Sequence, residues 1–234
     1  MEKGHNNSGF SLMEVLLAVG TLAIGMIFIG GTFLTGVYFS TIATERTIAA
    51  VAADEAFAKI KLYGNDDESW LSELSASDCN NFSELVTIDA NEFAYPSEPN
   101  DIAGKQYFWS ALCRRVGIRS DRLVQVTVFV SRKVGSSITL PVPVQVGVSG
   151  VADSYELTIT ESEKISWIND GYTIVENTTG QIYRVIKRYA EQPDTILLDR
   201  DWAGPSGSII VWVVPPASGG RGPCIAVYQK VIRF

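Results

Sequence analysis

A run of residues without a charged side chain constrains this sequence more than any other feature. No Asp, Glu, Lys, Arg or His occurs between Val15 and Thr44, and the run is rich in Leu, Ile, Val, Phe and Gly. A helix from Phe10 to Ser40 would extend about 46 Å at about 1.5 Å per residue, whereas the hydrocarbon core of a bilayer is about 30 Å thick. The sequence therefore predicts one transmembrane helix near the amino terminus.

The apolar run does not fit an ordinary secretory signal. Such a signal has an apolar stretch of about 7–15 residues followed by a small-residue cleavage site. This run is about twice as long, and no Ala-x-Ala site cleanly follows it. A plain single-pass anchor would explain the hydrophobicity but not Glu14. Because a carboxylate near the end of a membrane segment costs free energy unless it is paired, Glu14 is a candidate functional residue.

A short polar leader, residues 1–9, precedes the apolar run, and Lys3 favours a cytoplasmic position for its amino end. Gly9, Phe10, the Ser-Leu-Met stretch after them and Glu14 resemble the cleavage and methylation motif of type IV prepilins and type II secretion pseudopilins. The resemblance implies that a membrane aspartyl peptidase cuts between Gly9 and Phe10 on the cytoplasmic side and methylates the new amino group of Phe10. Glu14 would then be the fifth residue of the mature chain.

The resemblance also implies partners, a location and a subtype. The partners are the prepilin peptidase, other pilin or pseudopilin subunits, an inner-membrane assembly platform and membrane lipid. The chain would cross the bacterial inner membrane once, with its head outside the cytoplasm, before it enters a periplasmic or surface filament. Gly31 stands where many major pilins have a proline, and residues 16–25 resemble minor-pilin helices. The expected function is therefore that of a structural subunit, a minor pilin or minor pseudopilin.

Elementary chemistry supports an assembly role for Glu14. Glycine permits a peptidase to approach the backbone closely, and cleavage after Gly9 would create a cationic amino group at Phe10. In the low dielectric of a membrane, the carboxylate of one subunit can pair with the amino group of a neighbour, so that two charges that are costly alone stabilise the contact. The alternative is a membrane-anchored extracytoplasmic binding or adhesion protein with a β-rich head.

The composition argues against several other classes of function. The formal net charge of −7 argues against nucleic acid as a partner, because a phosphate-binding surface needs clustered Lys and Arg. The only histidine, His5, lies in the leader, so a cleaved chain cannot use Ser-His-Asp or Cys-His chemistry. No Walker loop, dinucleotide fingerprint or Gly-x-Ser-x-Gly elbow occurs, and we expect neither an enzyme nor a bound cofactor.

The sequence as a whole predicts an α+β fold. A long helix, membrane-embedded in its first half and amphipathic in its second, precedes a β-rich, pilin-like head. The amphipathic half has an apolar stripe at Ile48, Val51, Ala52 and Ala56, and Gly64 is a typical residue just past a helix end. The predicted segments are a leader (1–9), an N-terminal helix (10–63), an acidic connector (64–101), a β-sheet region of the head (102–150) and a small all-β module (151–234).

Alternation of apolar and polar residues predicts the strands of the head. Tyr107–Val116 and Leu123–Val130 are expected to pair, and Thr139–Val148 is expected at a sheet edge because it contains Pro141 and Pro143. Seven short strands separated by turns rich in Asn, Gly and Pro follow, and they predict a small barrel or sandwich. Their ranges are 156–160, 164–168, 172–176, 181–188, 195–198, 208–214 and 224–234.

Two charged clusters are candidates for binding. Arg114, Arg115, Arg119 and Arg122 could contact phosphate groups, DNA or an acidic neighbouring subunit, although solvated strand ends are the simpler explanation. The Asp199–Asp201 segment offers carboxylates to a calcium ion, but its spacing does not fit an EF-hand loop, and a charged strand end explains it more simply.

The cysteines and tryptophans of the head have structural interpretations. Cys79, Cys113 and Cys224 form no close pair and match no zinc-site spacing. They are compatible either with one disulfide and a free thiol or with three reduced, buried thiols. The tryptophans of the β-rich half are expected in the core: Trp167, Trp202 and Trp212.

Overall fold

A long N-terminal helix is followed by a head that contains an antiparallel sheet and a closed barrel, so the predicted α+β class is confirmed. The computed structural model describes residues 11–66, 69–97, 104–133, 140–216 and 222–234. The chain divides into two compact units, Met1–Glu45 and Arg46–Phe234.

Helix α1 spans Leu12–Asp66 and confirms the long helix predicted from the sequence. The predicted end at Gly64 is wrong, because Gly64 lies inside the helix and is buried. A Cβ atom added there would lie 2.6 Å from Cε1 of Phe234 and 2.9 Å from Cζ2 of Trp70. Gly64 therefore serves the close approach of two aromatic rings and does not terminate the helix.

The second half of α1 buries a narrow face of small residues against the head. Ala52 and Ala56 lie in the core as predicted, whereas Val51 is 52% exposed and that part of the predicted stripe is wrong. Each residue turns about 100° around an α-helix, so Val51 points away from the face that Ala52 and Ala56 occupy. The buried residues recur at intervals of three and four: Ala49, Ala52, Ala53, Ala56, Phe57 and Ile60.

The other elements of the head are short helices and strands. The α-helices are α2 (Trp70–Glu73) and α3 (Phe82–Leu85), and 3-10 helices span Ala90–Phe93, Arg119–Asp121 and Ser162–Trp167. The strands are β1 (Asn80–Asn81), β2 (Ala94–Tyr95), β3 (Tyr107–Val116), β4 (Leu123–Arg132), β5 (Val144–Gly150), β6 (Glu156–Ile159), β7 (Thr173–Glu176), β8 (Ile182–Arg188), β9 (Thr195–Leu198), β10 (Gly207–Val213) and β11 (Cys224–Arg233).

The sheet is antiparallel, with the strand order β1-β3-β4-β11, and β2 pairs with β3. The predicted pairing of β3 with β4 is confirmed, with a register from Tyr107 opposite Arg132 to Val116 opposite Leu123. One face of this sheet packs against the buried face of α1. Strand β11 was expected in the small all-β module, but it pairs with β4 and completes the sheet.

The acidic segment predicted as a connector is folded into the core of the sheet. Trp70, Leu74, Phe82, Val86 and Phe93 are all buried in the cluster that also contains the second half of α1. Their acidic neighbours point outward, since Glu73, Glu84 and Asp66 are exposed. The negative charge of this region therefore covers an apolar layer.

Six antiparallel strands close into a barrel in the order β10-β5-β6-β9-β8-β7. Of the two architectures predicted, a small barrel or a sandwich, the structure has the barrel. The strand predicted at 164–168 is wrong, because a 3-10 helix occupies Ser162–Trp167. Branched aliphatic side chains and two stacked aromatic rings, Tyr183 and Trp202, fill the interior.

The strand predicted over 139–148 is present from Val144 onward, but its predicted edge position is wrong. Its first residue lies outside the described part of the chain, and β5 begins only at Val144, after Pro141 and Pro143. Because proline cannot donate to a ladder, the strand starts beyond both prolines and pairs on each side, with β10 and β6. The boundary between the β-sheet region and the all-β module was predicted after residue 150. In the structure the chain passes from the sheet to the barrel earlier, between β4 and β5.

The turn between β7 and β8 joins the barrel to the sheet. Asn177 is the centre of the junction: its Oδ1 accepts from Nε1 of Trp212 at 2.8 Å, and its Nδ2 donates to Oδ1 of Asp78 at 2.8 Å. The backbone N of Cys79 donates to the Asn177 carbonyl at 3.0 Å. Gln229 of β11 donates to the Gly180 carbonyl at 2.7 Å. A small apolar cluster that includes Leu112 and Phe129 of the sheet and Trp212 of the barrel lies between the sheet and the barrel.

Candidate functional site

The surface of α1 between Leu12 and Thr44 is the most unusual feature of the described chain. An 18-residue window of this helix has a mean hydropathy of 2.3 and no buried residue. Phe28 and Phe33, for example, are 71% and 70% exposed. Soluble proteins rarely expose an apolar patch larger than a few hundred Å². By its length and composition this helix could cross a membrane.

The hydroxyl groups on this helix are compatible with an apolar environment. Thr32 donates to the Ile29 carbonyl at 2.9 Å, and Thr35 donates to the Gly31 carbonyl at 2.9 Å. Three further threonines make the same bond within one turn: Thr21, Thr41 and Thr44. A polar group must be satisfied internally when water is absent, and these bonds meet that requirement.

Small residues leave hollows in the apolar surface. Thr32, Gly36 and Ser40 follow one another at four-residue intervals and line one shallow groove, and Gly36 also lines a second. A Cβ atom added at any glycine of this segment would meet no atom within 4 Å: Gly20, Gly25, Gly30, Gly31 and Gly36. Nothing in the described chain fills these hollows, and their geometry permits the close approach of another helix.

Glu14 lies in the first turn of α1, where it closes a capping box with Ser11. The Ser11 Oγ accepts from the backbone N of Glu14 at 3.2 Å, and Oε2 of Glu14 accepts from the backbone N of Ser11 at 3.1 Å. This reciprocal arrangement satisfies two amide groups that a helix start leaves without partners. A carboxylate is also favoured at a helix amino terminus by the helix dipole.

The capping box was missed in the sequence, although its pattern is visible there. Ser-x-x-Glu before an apolar run is the signature of a helix amino terminus, and Ser11, Leu12, Met13 and Glu14 match it. The predicted processing residues, Gly9 and Phe10, lie outside the described residues. Glu14 Oε1 has no hydrogen-bond partner in the described part of the chain. One carboxylate oxygen is therefore available to a group outside α1.

The predicted basic cluster divides into two groups. Arg114 belongs to the sheet–barrel junction, where it donates to the Ala76 and Thr178 carbonyls at 2.9 and 2.8 Å. Arg115, Arg119 and Arg122 instead line one cleft at the end of the β3–β4 hairpin. The cleft also has an apolar floor, and its lining includes Leu71 and Leu123.

The segment Asp199–Asp201 has structural contacts at the end of β9. Asp199 Oδ1 accepts from the backbone N of Arg184 at 3.0 Å, and the Arg200 guanidinium lies 5.1 Å from the centre of the Tyr183 ring. In the residues that the structure describes, no group of three His, Cys, Asp or Glu side chains is arranged to hold a metal ion. Of the predicted core tryptophans, Trp202 and Trp212 are buried, and Trp167 is half-buried at the barrel surface.

The three cysteines are free thiols in the structure. Burial raises the pKa of the Cys79 thiol to about 12, against a smaller opposing effect of Arg114. Burial likewise raises the pKa of Cys224 to about 12, and it raises the pKa of Cys113 further. At neutral pH all three side chains are protonated and poorly nucleophilic.

We expect the folded protein at pH 8 to react slowly with Ellman's reagent and the protein unfolded in guanidinium to release three thiols at once. The reason is that the thiolate, which is the reactive form, is scarce while the thiol pKa lies well above the pH of the assay. A freshly exported and purified chain that yields only one thiol after unfolding would indicate a disulfide and contradict the three free thiols.

Comparisons of this chain with family models, with curated proteins and with solved structures found no match. Three features of the molecule bear on its function: the apolar helix, the residues at its amino end and the surface of the head.

Proposed function

We propose that the protein is a structural subunit, a minor pilin or minor pseudopilin, of a type IV pilus-like or type II secretion filament. The observation that carries this proposal is the exposed, uncharged surface of α1, which continues without a break into a helix half that is buried against the head sheet. A simple anchor needs about 20 apolar residues and no continuation into the folded domain. A filament subunit needs both halves, one for lipid or neighbouring helices and one to carry the head.

The apolar surface would have two environments in turn. In the bacterial inner membrane, with the head outside the cytoplasm, lipid covers it. In the filament, helices of neighbouring subunits replace the lipid, and the hollows at Thr32, Gly36 and Ser40 allow them to approach closely. The inner-membrane assembly platform would transfer the subunit from one environment to the other.

Glu14 would guide the docking of each subunit. After a prepilin peptidase has cut between Gly9 and Phe10, the chain would begin with a cationic, methylated amino group. Within the described residues the capping box engages only Oε2 of Glu14, and Oε1 would accept a hydrogen bond from the amino group of Phe10 of a neighbouring subunit. Two charges that are costly in lipid would then form one pair inside the filament.

The first test of the proposal is the identity of the mature amino terminus. Mass spectrometry of protein extracted from membranes and from sheared filaments should find N-methylated Phe10 as the first residue. A Gly9→Leu variant should retain its leader, because a side chain at this position prevents the peptidase from approaching the backbone. Assembled filaments that contain chains beginning at Met1 would contradict the proposal.

The alternative function is that of a membrane-anchored extracytoplasmic binding protein with a β-rich head. Two observations favour it: Glu14 has a local role in the capping box, and the head carries a basic cleft. A binding protein would keep its leader or lose it without methylation, and it would not be recovered with filaments. Composition analysis of purified filaments separates the two functions.

A further inference from the structure

A cleft of about 350 Å³ at one end of the sheet combines three arginines with an apolar floor. Its lining residues are Leu71, Ser72, Leu74, Arg115, Arg119, Arg122, Leu123 and Val124. The turn between β3 and β4 brings the arginines together, because Gly117 and Arg122 both have positive φ angles, of 75° and 51°, and reverse the chain tightly. Small-molecule and peptide pockets in proteins typically begin at about 300 Å³.

The guanidinium groups of Arg115 and Arg119 retain binding capacity. Nη2 of Arg119 donates to the Ser72 carbonyl at 2.6 Å, which fixes the side chain at the rim. Nε of Arg115 is buried and has no hydrogen-bond partner in the described part of the chain. Neither side chain has a carboxylate partner among the described residues. Guanidinium groups that line a cleft without a carboxylate partner are favourable sites for an anion, because a charge-assisted hydrogen bond is stronger than a neutral one.

The floor of the cleft limits the kind of anion. Leu71 and Leu123 are half-buried and face the cleft, above the buried Leu74 and Val124. A nucleic-acid backbone offers nothing apolar to cover them, and the lining contains no aromatic ring on which a base could stack. A peptide can place carboxylates on guanidinium groups and an aliphatic side chain on leucines at the same time.

We propose that this cleft binds an acidic peptide segment of a partner protein, in which carboxylates flank an aliphatic side chain. The carboxylates lie on the guanidinium groups of Arg115, Arg119 and Arg122, and the aliphatic side chain lies on Leu71 and Leu123. The site belongs to the head, so it is independent of the proposed function of α1.

The test measures the binding of the peptide Asp-Glu-Leu-Asp-Glu-amide, labelled with fluorescein at its amino terminus, to the full chain in zwitterionic detergent micelles by fluorescence anisotropy. Arg119→Glu should weaken binding at least about tenfold, because it removes one charge-assisted contact and adds a repulsive charge. Arg184→Glu makes the same charge change on an exposed barrel position and should alter the dissociation constant less than about twofold. The analogue Asn-Gln-Leu-Asn-Gln-amide, with the same label, should not bind.

Arg119→Gln provides a second variant, because it removes the charge without repulsion and keeps a polar side chain at the rim. Equal weakening by Arg119→Glu and Arg184→Glu would show a general charge effect and overturn the proposal. Tighter binding of a single-stranded oligonucleotide than of the peptide would overturn it in favour of nucleic acid. Variants of Glu14 should bind the peptide normally, so failure of the filament proposal remains distinguishable from failure of this one.

Discussion

Replacement of Trp70 by alanine is expected to lower the free energy of unfolding of the head by about 3–5 kcal/mol, the range found when a large aromatic side chain is removed from a core. Trp70 is 1% exposed and contacts two aromatic rings edge-on, Phe82 at 5.7 Å and Phe234 at 5.1 Å between centroids. Its Nε1 donates to the Gly64 carbonyl of α1 at 3.0 Å. The substitution would therefore remove the contacts that Trp70 makes with α1, with Phe82 of the acidic segment and with Phe234.

Urea unfolding of the full chain in detergent, followed by far-ultraviolet circular dichroism in the β region, measures this effect. Trp70→Phe keeps an aromatic ring and loses the hydrogen bond to Gly64, so a smaller cost of about 1–2 kcal/mol is expected. Trp167→Ala, at a half-buried position of the barrel, is the control for loss of a tryptophan elsewhere. An unchanged midpoint for Trp70→Ala would mean that the acidic segment is a connector after all.

The elements that sequence reasoning identified correctly are those with a strong local signal. The uncharged run between Val15 and Thr44 can satisfy all of its backbone groups in lipid without further strands only as a helix. Leu123–Arg132 begins with an alternation of apolar and polar residues, and a short turn connects it to the apolar segment that starts at Tyr107, which indicates an antiparallel pair. In both cases the residues that decide the structure are neighbours in sequence.

The errors occur where distant residues decide the structure. Strand β11 has the pattern of a strand, but its partner β4 lies about a hundred residues earlier in the chain, and no local signal selects it over the barrel. Ile165 of the 3-10 helix and Ile168, directly after it, both pack into the barrel core and are three positions apart, a spacing that matches one turn of a 3-10 helix. Packing against the barrel core selects the helix.

The acidic segment shows a third kind of error. Its charge and its prolines suggested a connector, because composition averages over both faces of a short element. Trp70, Phe82 and Phe93 lie in a segment rich in polar and acidic residues, and each is buried. For the candidate site, the sequence identified Glu14 as unusual but not its bond with Ser11, although the Ser-x-x-Glu pattern of a capping box was present. Glu14 therefore has two candidate roles, the helix cap and the charge pair with a neighbouring subunit, and a set of variants can separate them.

Replacement of Glu14 by glutamine is expected to reduce incorporation of the subunit into filaments at least about tenfold, as much as replacement by alanine. Glutamine can take the place of glutamate in a capping box, so Glu14→Gln preserves the bond with Ser11 and removes only the charge. The amino group of Phe10 on the neighbouring subunit would then have no counter-charge in the apolar filament core. An uncompensated buried charge costs about 3–5 kcal/mol, which is sufficient for this loss.

Ser11→Ala makes the opposite change, because it removes the side-chain cap and keeps the carboxylate. Loss of a cap costs about 1 kcal/mol of helix stability, and at an exposed helix start this should leave incorporation nearly normal. Immunoblots of membrane and sheared filament fractions, with cleavage checked by mass spectrometry, measure both steps for each variant. Normal incorporation of Glu14→Gln together with loss for Glu14→Ala would assign Glu14 to the helix cap alone. The charge pair predicts instead that glutamine and alanine fail alike, since both leave the neighbour's amino group without a partner.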